Sequence, residues 1–286
     1  MTILTFVLVL VAAIVHAAWN LLAKRAGGGI AFAFLINALA TLIYTPLTVG
    51  VLLLERPHID VVALIFVVGS SLIHIAYFLV LQQGYKAGDL SLVYPLARGT
   101  GPMLSTSAAI GLLGERPTPT ALLGIFLIGA GVFILTGDPR KLWRSSSRTA
   151  VGYGLLTGTL IAAYTIWDKY AVSQFWVSPI LLNYGCNLFE TLLLLPFAHR
   201  QWNQVCQEWD THRFEVLGTA LLSPLAYILV LIAMVFTPVS HVAPIRELSI
   251  LVGAVLGARL LSEGEVLRRL LASGVMVLGV LLLAFN

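Results

Sequence analysis

The stretch Asn37-Ala-Leu-Ala-Thr41-Leu-Ile-Tyr-Thr-Pro46 returns 150 residues later with the same Asn, Thr and Pro spacing, at 187–196. A second pattern, Ala-Tyr-x-Leu-Val-Leu, occurs at 76–81 and again at 226–231, with the same offset of 150. Further paired Ala, Lys, Ser, Pro and Glu residues keep the offset between 145 and 150. The chain is therefore an internal duplication, and its fold is predicted to consist of two copies of one unit.

The chain of 286 residues is 59% hydrophobic and 10% charged, with a mean hydropathy of +0.94. This composition predicts an integral membrane protein, because too few polar residues remain to cover a soluble core. Apolar segments of about 20 residues, long enough to cross a hydrocarbon core of ~30 Å, fall at 2–23, 30–53, 61–83, 90–113, 119–136, 151–170, 178–198, 215–236, 241–258 and 266–285. Because each copy has five segments, an odd number, the second copy has the opposite orientation in the membrane to the first. The predicted fold is thus an all-α membrane protein of ten transmembrane helices, arranged as two inverted five-helix repeats.

The basic residues predict the orientation, because Lys and Arg near helix ends accumulate on the cytoplasmic side. Loops 1–2, 3–4, 5–6, 7–8 and 9–10 hold 12 of them, the opposite side holds 3, and the remaining 2 of 17 lie inside helices. We expect the protein to lie in the cytoplasmic (inner) membrane, with both termini on the side away from the cytoplasm. The repeats are predicted at 1–137 and 151–286, and a basic cytoplasmic linker at 138–150 joins them. The net charge of +4 follows from this topology, so no nucleic-acid partner is predicted.

Three short motifs carry a resemblance to a known family. Gln83–Asp89 ends helix 3, Val93-Tyr94-Pro95-Leu96 opens helix 4, and Leu113-Gly114-Glu115-Arg116 follows helix 4. Together with the second copy, these motifs resemble the repeat of the EamA family in the drug/metabolite transporter superfamily. The resemblance implies two five-helix repeats around a central cavity that carry small metabolites by alternating access. Family substrates range from amino acids to sugars and nucleotide-linked metabolites, so the resemblance does not choose one.

Two arginines lie inside predicted helices. Arg98 is ~12 Å into helix 4 by helical rise, and Arg246 follows Pro244 in the other copy. A pair of guanidinium groups at nearly equivalent positions is suited to binding carboxylate or phosphonate oxygens. The alternative is structural: Arg246 pairs with Glu247 or Glu190, and Arg98 with a carbonyl at a helix end. The chain departs from the family at Arg98, where family members commonly have an uncharged residue. This departure favours Arg98 as the main anion contact, with Arg246 as its pseudo-symmetric partner.

Three titratable residues are candidates for proton coupling or substrate binding. Glu190 lies near the middle of helix 7, where a buried acid can exchange one proton per transport cycle, or can instead form a structural salt bridge with Arg98 or Arg246. His16 is a second candidate for proton coupling. His74 is a candidate substrate contact, although histidines inside membrane helices often bond a neighbouring carbonyl.

Matched prolines and polar residues complete the candidate site. Pro95 and Pro244 are predicted to break their helices at matched depth and to expose backbone groups to a cavity. The remaining candidate substrate contacts are Tyr77, Tyr94, Tyr227, Asn37 and Asn187.

The sequence favours a carrier over an enzyme, because it contains none of the common hydrolase, zinc-protease or phosphate-loop motifs. No cofactor and no metal are predicted. We predict a secondary transporter for a small anionic or zwitterionic metabolite, such as an amino-acid-like compound, an organic acid or a phosphonate. The alternatives are a broad-specificity exporter and, from another class, an intramembrane hydrolase or lipid-modifying enzyme. Predicted partners are the small-molecule substrate and the lipid bilayer, and the chain is expected to be a monomer or weak homodimer, because its Gly-x3-Gly motifs favour packing within the bundle.

Overall fold

The computed structural model describes residues 2–26, 28–57, 59–87, 90–136, 148–250, 252 and 266–284. These residues form helices and connecting turns, with no strand in the described ranges. The first half contains α1 (Ile3–Ala26), α2 (Ile30–Leu54), α3 (Val61–Ala87), α4 (Leu90–Leu112) and α5 (Pro119–Thr136). The second half contains α6 (Arg148–Ser173), α7 (Pro179–Arg200), α8 (Trp202–Phe236), α9 (Val239–Arg246) and α10 (Val266–Ala284).

Six of the described helices, namely α1, α2, α3, α6, α7 and α8, are long and apolar enough to cross a bilayer. Shorter apolar stretches at Pro119–Ile134 and Leu271–Leu283 belong to α5 and α10. Large aliphatic side chains are exposed along these helices, as a surface in contact with lipid requires. The protein is therefore an integral membrane protein. A total of ten spans stays a prediction, because the ninth predicted segment (241–258) and the predicted linker (138–150) extend outside the described residues.

The helices pack in pairs that are related by exchanging the two halves of the chain. α1 contacts α8, and the corresponding α6 contacts α3; α4 contacts α6, and the corresponding α9 contacts α1. Three further helices contact their own counterparts, in the pairs α2–α7, α4–α9 and α5–α10. This pattern is that of two similar repeats around a pseudo-two-fold axis, and elements near the axis meet their own equivalents.

The α5–α10 pair shows how closely the two repeats approach. A Cβ atom added to Gly124 would lie 2.7 Å from the carbonyl oxygen of Gly279, and one added to Gly279 would lie 2.6 Å from the carbonyl oxygen of Gly124. Gly131 faces the carbonyl oxygen of Ala272 in the same manner, at 3.0 Å. Small residues therefore let these two helices meet backbone to backbone, as is common where membrane helices associate.

The Leu-Gly-Glu-Arg turn after α4 connects the two repeats at the start of α9. Gly114 has a φ of +67°, in the left-handed region that glycine adopts without strain, and the Glu115 amide donates to the Ala109 carbonyl at 3.2 Å. The Glu115 carboxylate accepts hydrogen bonds from the amides of Val239 and Ser240, at 2.7 and 3.0 Å. A carboxylate of the first repeat thus caps the first turn of α9 in the second repeat.

One predicted connection is wrong. The sequence predicts a connection at 199–214, between the apolar segments 178–198 and 215–236, because it carries the Asp, Arg and Trp expected at a membrane boundary. Instead α8 begins at Trp202 and continues to the membrane-spanning part through a kink at His212, which has non-helical angles. Its polar side chains face outward, while Val205 is buried against Phe34 of α2. Packing of one apolar side decides the helix, which composition alone does not reveal.

Candidate functional site

A buried ion pair joins the two repeats where α4 meets α9. Arg98 is 5% exposed and Glu247 is 1% exposed. Their Nε and Oε2 atoms lie 3.0 Å apart, and Nη2 of Arg98 donates to the Ser249 hydroxyl at 3.2 Å. Arg98 and Glu247 each lie three residues after the matched prolines Pro95 and Pro244. They are equivalent positions of the two repeats, and they contact each other as residues beside a two-fold axis do.

Arg246 shares the same carboxylate at longer range. It is 3% exposed, and its Nε lies 3.9 Å from Oε1 of Glu247, which is too far for a hydrogen bond. Its Nε and Nη2 atoms have no hydrogen-bond partner within the described part of the chain. Two guanidinium groups therefore share one carboxylate, and buried N–H groups of Arg246 remain unpaired.

These contacts decide between the pairings considered from sequence. The ion pair between Arg246 and Glu247 is present. Arg98 also pairs with Glu247, a partner that the sequence did not suggest for it. Glu190 forms no salt bridge with either arginine among the residues described, and its carboxylate interacts instead with the Asn37 side chain of α2. Glu190 is half-buried.

The helix is interrupted near one of the two matched prolines and not near the other. α9 contains Pro244 and ends at Arg246; the Glu247 amide bonds the Pro244 carbonyl at 3.0 Å, and the chain is helical again at 248–250. α4 is helical without interruption from Leu90 to Leu112, so the break expected after Pro95 is absent. The side chains of Pro95 and Tyr94 lie outside the described residues. The break is therefore a feature of α9, directly beside the ion pair.

Aromatic rings from α3, α6 and α8 gather beside this centre. The His74 ring stacks on Tyr164 with centroids 4.2 Å apart, and Tyr227 lies edge-on to His74 at 5.6 Å. Tyr77 approaches Tyr164 at 5.9 Å. His74, Tyr77 and Tyr227 are each half-buried. Nδ1 of His74 lies 2.9 Å from the Ser70 carbonyl, the local bond expected of a histidine in a membrane helix.

Sequence reasoning missed Asp168. This residue of α6 is 0% exposed, and its Oδ2 accepts a short hydrogen bond from the Tyr227 hydroxyl. It has Lys169 as its neighbour, close to the end of the predicted helix, and therefore resembled a boundary residue. Lys169 in fact lies within α6 and donates to the carbonyl oxygens of Met234 and Thr237, at 2.5 and 3.1 Å. The available signal was the duplication: at the local offset of 145, the first repeat has an alanine, Ala23, where the second has Asp168.

Two remaining candidates lie at different distances from the centre. His16 of α1 is half-buried, accepts a hydrogen bond from Nε1 of Trp19 at 3.3 Å, and lies within electrostatic reach of Arg98 and Arg246. The Asn187 amide donates to the Asn183 carbonyl and side-chain oxygens at 2.8 and 3.0 Å, within α7. The structure thus brings His16 toward the arginines, whereas the Asn187 side chain is bonded within its own helix.

A separate apolar groove of about 640 Å³ lies where α3, α4 and α6 meet. It is lined by Phe66, Leu104, Ala108, Ala162, Trp167 and Tyr170. Its volume is in the range of small-molecule sites, and its lining is almost entirely hydrophobic.

Comparisons with known proteins agree with this architecture. The profile of the EamA-like transporter family matches residues 3–137 and 148–285, which are the two halves of the chain. A solved structure titled "Crystal structure of protein" is 14% identical in sequence, with a TM-score of 0.73, and the match covers 98% of each chain. At that identity the likeness shows the fold alone. A search of curated proteins found no match.

Proposed function

The chain belongs to the EamA-like transporter family, and from that premise we propose that it is a secondary carrier for a small anionic or zwitterionic metabolite. The observation that carries this proposal is the buried cluster of Arg98, Glu247 and Arg246. Buried charges in a membrane are costly, and they mark substrate or ion pathways when they line a bundle interior. Two guanidinium groups against one carboxylate leave this cluster with a surplus positive charge, which favours an acidic substrate group.

Within the cluster, Arg246 is the better candidate for the main anion contact. Arg98 already forms the 3.0 Å ion pair with Glu247 and donates a hydrogen bond to Ser249. Arg246 has buried N–H groups without a partner in the described ranges, and an unpaired buried donor costs free energy until a ligand satisfies it. We therefore propose that Arg246 binds the substrate and that Arg98 holds the Glu247 side chain in place. This order differs from the sequence hypothesis, which put Arg98 first.

The break in α9 supports transport by alternating access. Discontinuous helices at the repeat interface place free backbone groups and charged side chains beside the substrate in many transporters. Here the break falls at Glu247 itself, the residue that pairs with Arg98 of the other repeat. We propose that rocking of the repeats opens the site to each side of the cytoplasmic membrane in turn, with both termini outside.

A thermal-shift screen against amino acids, organic acids and phosphonates tests the proposal, because a ligand that binds the folded state stabilises it by about 2.7 kcal/mol at 100 times its Kd. We expect an acidic compound to stabilise the wild type and an Arg116→Gln control, in which an exposed arginine is neutralised. Arg246→Gln is expected to abolish the shift. Equal shifts in Arg246→Gln would contradict the proposed anion site.

Glu190 is the proposed proton-coupling group, since it is a half-buried acid that no arginine neutralises within the described residues. Glu190→Gln in proteoliposomes is expected to abolish uptake driven by a pH gradient, while exchange of labelled for unlabelled substrate continues. Glu208→Gln, which changes an acid at the start of α8, serves as the control and should retain both activities. Loss of exchange and of gradient-driven uptake together would contradict a role in coupling alone.

One observation favours a second candidate, a broad-specificity exporter. The apolar groove between α3, α4 and α6 has the size of a drug site and almost no polar lining. If uncharged or cationic lipophilic compounds stabilise the protein and their effect survives Arg246→Gln, this second function is the correct one. Leu104→Trp, which would fill the groove, should then abolish the stabilisation.

A further inference from the structure

Asp168 is buried in the wall of the aromatic cluster, with half of its carboxylate engaged. Its Oδ2 accepts the hydrogen bond of the Tyr227 hydroxyl. Its Oδ1 is buried and has no hydrogen-bond partner that meets full geometric criteria in the described part of the chain, although the Ser70 hydroxyl lies close by. A buried carboxylate oxygen left in this state costs free energy unless a donor reaches it.

The rings around Asp168 are suited to a cation. Tyr227 contacts the carboxylate directly, and its ring lies 6.3 Å from that of Tyr164 and 5.6 Å from that of His74. Aromatic faces attract ammonium groups, most strongly where water is excluded. His74 and Tyr227 are half-buried, whereas Asp168 is fully buried. An ammonium group at the Asp168 carboxylate would therefore lie beside these aromatic rings.

Arg246 supplies the opposite charge in the same region. Its charge lies within electrostatic range of Asp168, His74 and Tyr227. Arg246 and Asp168 nevertheless form no direct salt bridge among the described residues. An unpaired donor on a cation and an unpaired acceptor on an acid therefore lie near each other without contact. A ligand that carries both a negative and a positive group can satisfy both.

The charge balance also favours such a ligand. Two arginines, Arg98 and Arg246, and two acids, Glu247 and Asp168, are the buried charged residues in the described ranges. With all four ionised, their charges sum to zero. A zwitterion leaves this balance unchanged when it binds, whereas a simple anion adds an uncompensated charge to a buried region, which is costly.

We propose that Asp168, together with the Tyr227 hydroxyl, binds the ammonium group of the substrate, while Arg246 binds its acidic group. This inference rests on the proposed function and narrows the substrate to compounds with an amino group close to a carboxylate or phosphonate. Asp168 thereby determines specificity, because an acid without the amino group leaves its Oδ1 unpaired. The first repeat contributes Arg98, and the second contributes both groups that contact the substrate.

Matched pairs of compounds test the assignment. Binding to the purified full-length protein is measured by titration calorimetry for alanine against propionate, phenylalanine against 3-phenylpropionate, and 2-aminoethylphosphonate against ethylphosphonate. We expect the wild type to prefer the amino compound of at least one pair by about 10-fold or more, the value of a charge-assisted hydrogen bond. In Asp168→Asn that preference should disappear, because the affinity for the amino compound falls while the affinity for the deaminated acid is unchanged.

Two further variants distinguish loss of the ammonium contact from misfolding of Asp168→Asn. Tyr227→Phe removes only the hydroxyl donor, and it should reduce the preference for the amino compound by several fold without changing the affinity for the deaminated acid. Asp210→Asn makes the same chemical change as Asp168→Asn at an exposed site of α8 and should behave as wild type.

The outcomes separate this inference from the proposed function. If the wild type binds both members of each pair equally, or if Asp168→Asn weakens both members equally, the ammonium assignment is overturned while the anion site at Arg246 stands. If the wild type binds none of the six compounds, both the proposed function and this inference fail.

Discussion

α4 and α9 are corresponding helices of the two repeats, yet they differ at the position that matters most. Three residues after the matched proline, α4 has Arg98 and α9 has Glu247. α4 continues as a helix through this position, whereas α9 ends one residue before it. The two side chains form a salt bridge of 3.0 Å across the pseudo-two-fold axis. Identical charges at equivalent positions would repel each other there, so the duplication could retain a charge at this position only by becoming asymmetric.

The difference underlies our proposal that the second repeat contacts the substrate. The first repeat contributes an arginine whose partner is Glu247, and the second contributes Arg246, directly before the break, with unpaired N–H groups within the described residues. In the proposed site, Arg98 is thus the structural charge and Arg246 the binding charge.

The largest effect is expected from breaking the ion pair on the axis. Glu247→Gln and Arg98→Met should each lower the free energy of unfolding by ~3–5 kcal/mol, because each leaves a buried charge without its partner. The double variant should lose less than the sum of the two single losses, by at least ~1 kcal/mol. Thermal unfolding of the four proteins in detergent measures this cycle. Additive losses would mean that the pair does not contribute as a unit.

A smaller effect is expected where α6 packs against α4. A Cβ at Gly158 would lie 2.0 Å from the Thr100 hydroxyl and 3.2 Å from the Ala97 carbonyl oxygen, whereas Gly152 of the same helix has no such neighbour within 4 Å. Gly158→Ala should therefore destabilise the protein by ~1–3 kcal/mol. Gly152→Ala should be neutral or slightly stabilising, since alanine favours helix.

The same unfolding assay applies to these two variants. A neutral Gly158→Ala would show that α4 and α6 are less closely packed than described, and that the position of Arg98 depends less on α6 than we infer.

The smallest effect concerns the start of α9. Glu115→Ala removes both hydrogen bonds to the amides of Val239 and Ser240, and it should cost ~1–2 kcal/mol, as the loss of a helix cap does. Glu55→Ala, which changes an exposed acid at the end of α2, should stay within ~0.5 kcal/mol of the wild type. Hydrogen exchange at 239–246 gives a local check. Unchanged protection there in Glu115→Ala would mean that α9 does not need this cap.

Much of the fold could be predicted from the sequence, because apolar length and the duplication are strong patterns. The bounds expected for the first five helices are close to those observed, except that α3 extends to Ala87. The first 13 residues of α8, 202–214, were missed, since their stability comes from packing of Val205 and Trp209 on neighbouring helices rather than from their own hydropathy.

The candidate site was predictable only in part. Buried arginines are conspicuous in an apolar sequence, so Arg98 and Arg246 could be found directly. The role of Glu247 depends on two residues 149 positions apart meeting at an axis, which becomes visible only when α4 and α9 are placed together. Asp168 was hidden by its position near a helix end, and its contact with Tyr227 joins α6 to α8 through the tertiary fold.

Counterflow in proteoliposomes tests the central claim most directly, because it detects a carrier whatever its direction or coupling ion. Vesicles are loaded with the unlabelled acidic compound that stabilises the protein best, and entry of the labelled compound is followed. The account predicts transient accumulation by the wild type and by Arg116→Gln, and an initial rate at least ~10-fold lower in Arg246→Gln, the loss expected from a charged substrate contact. Equal rates in all three proteins would contradict it.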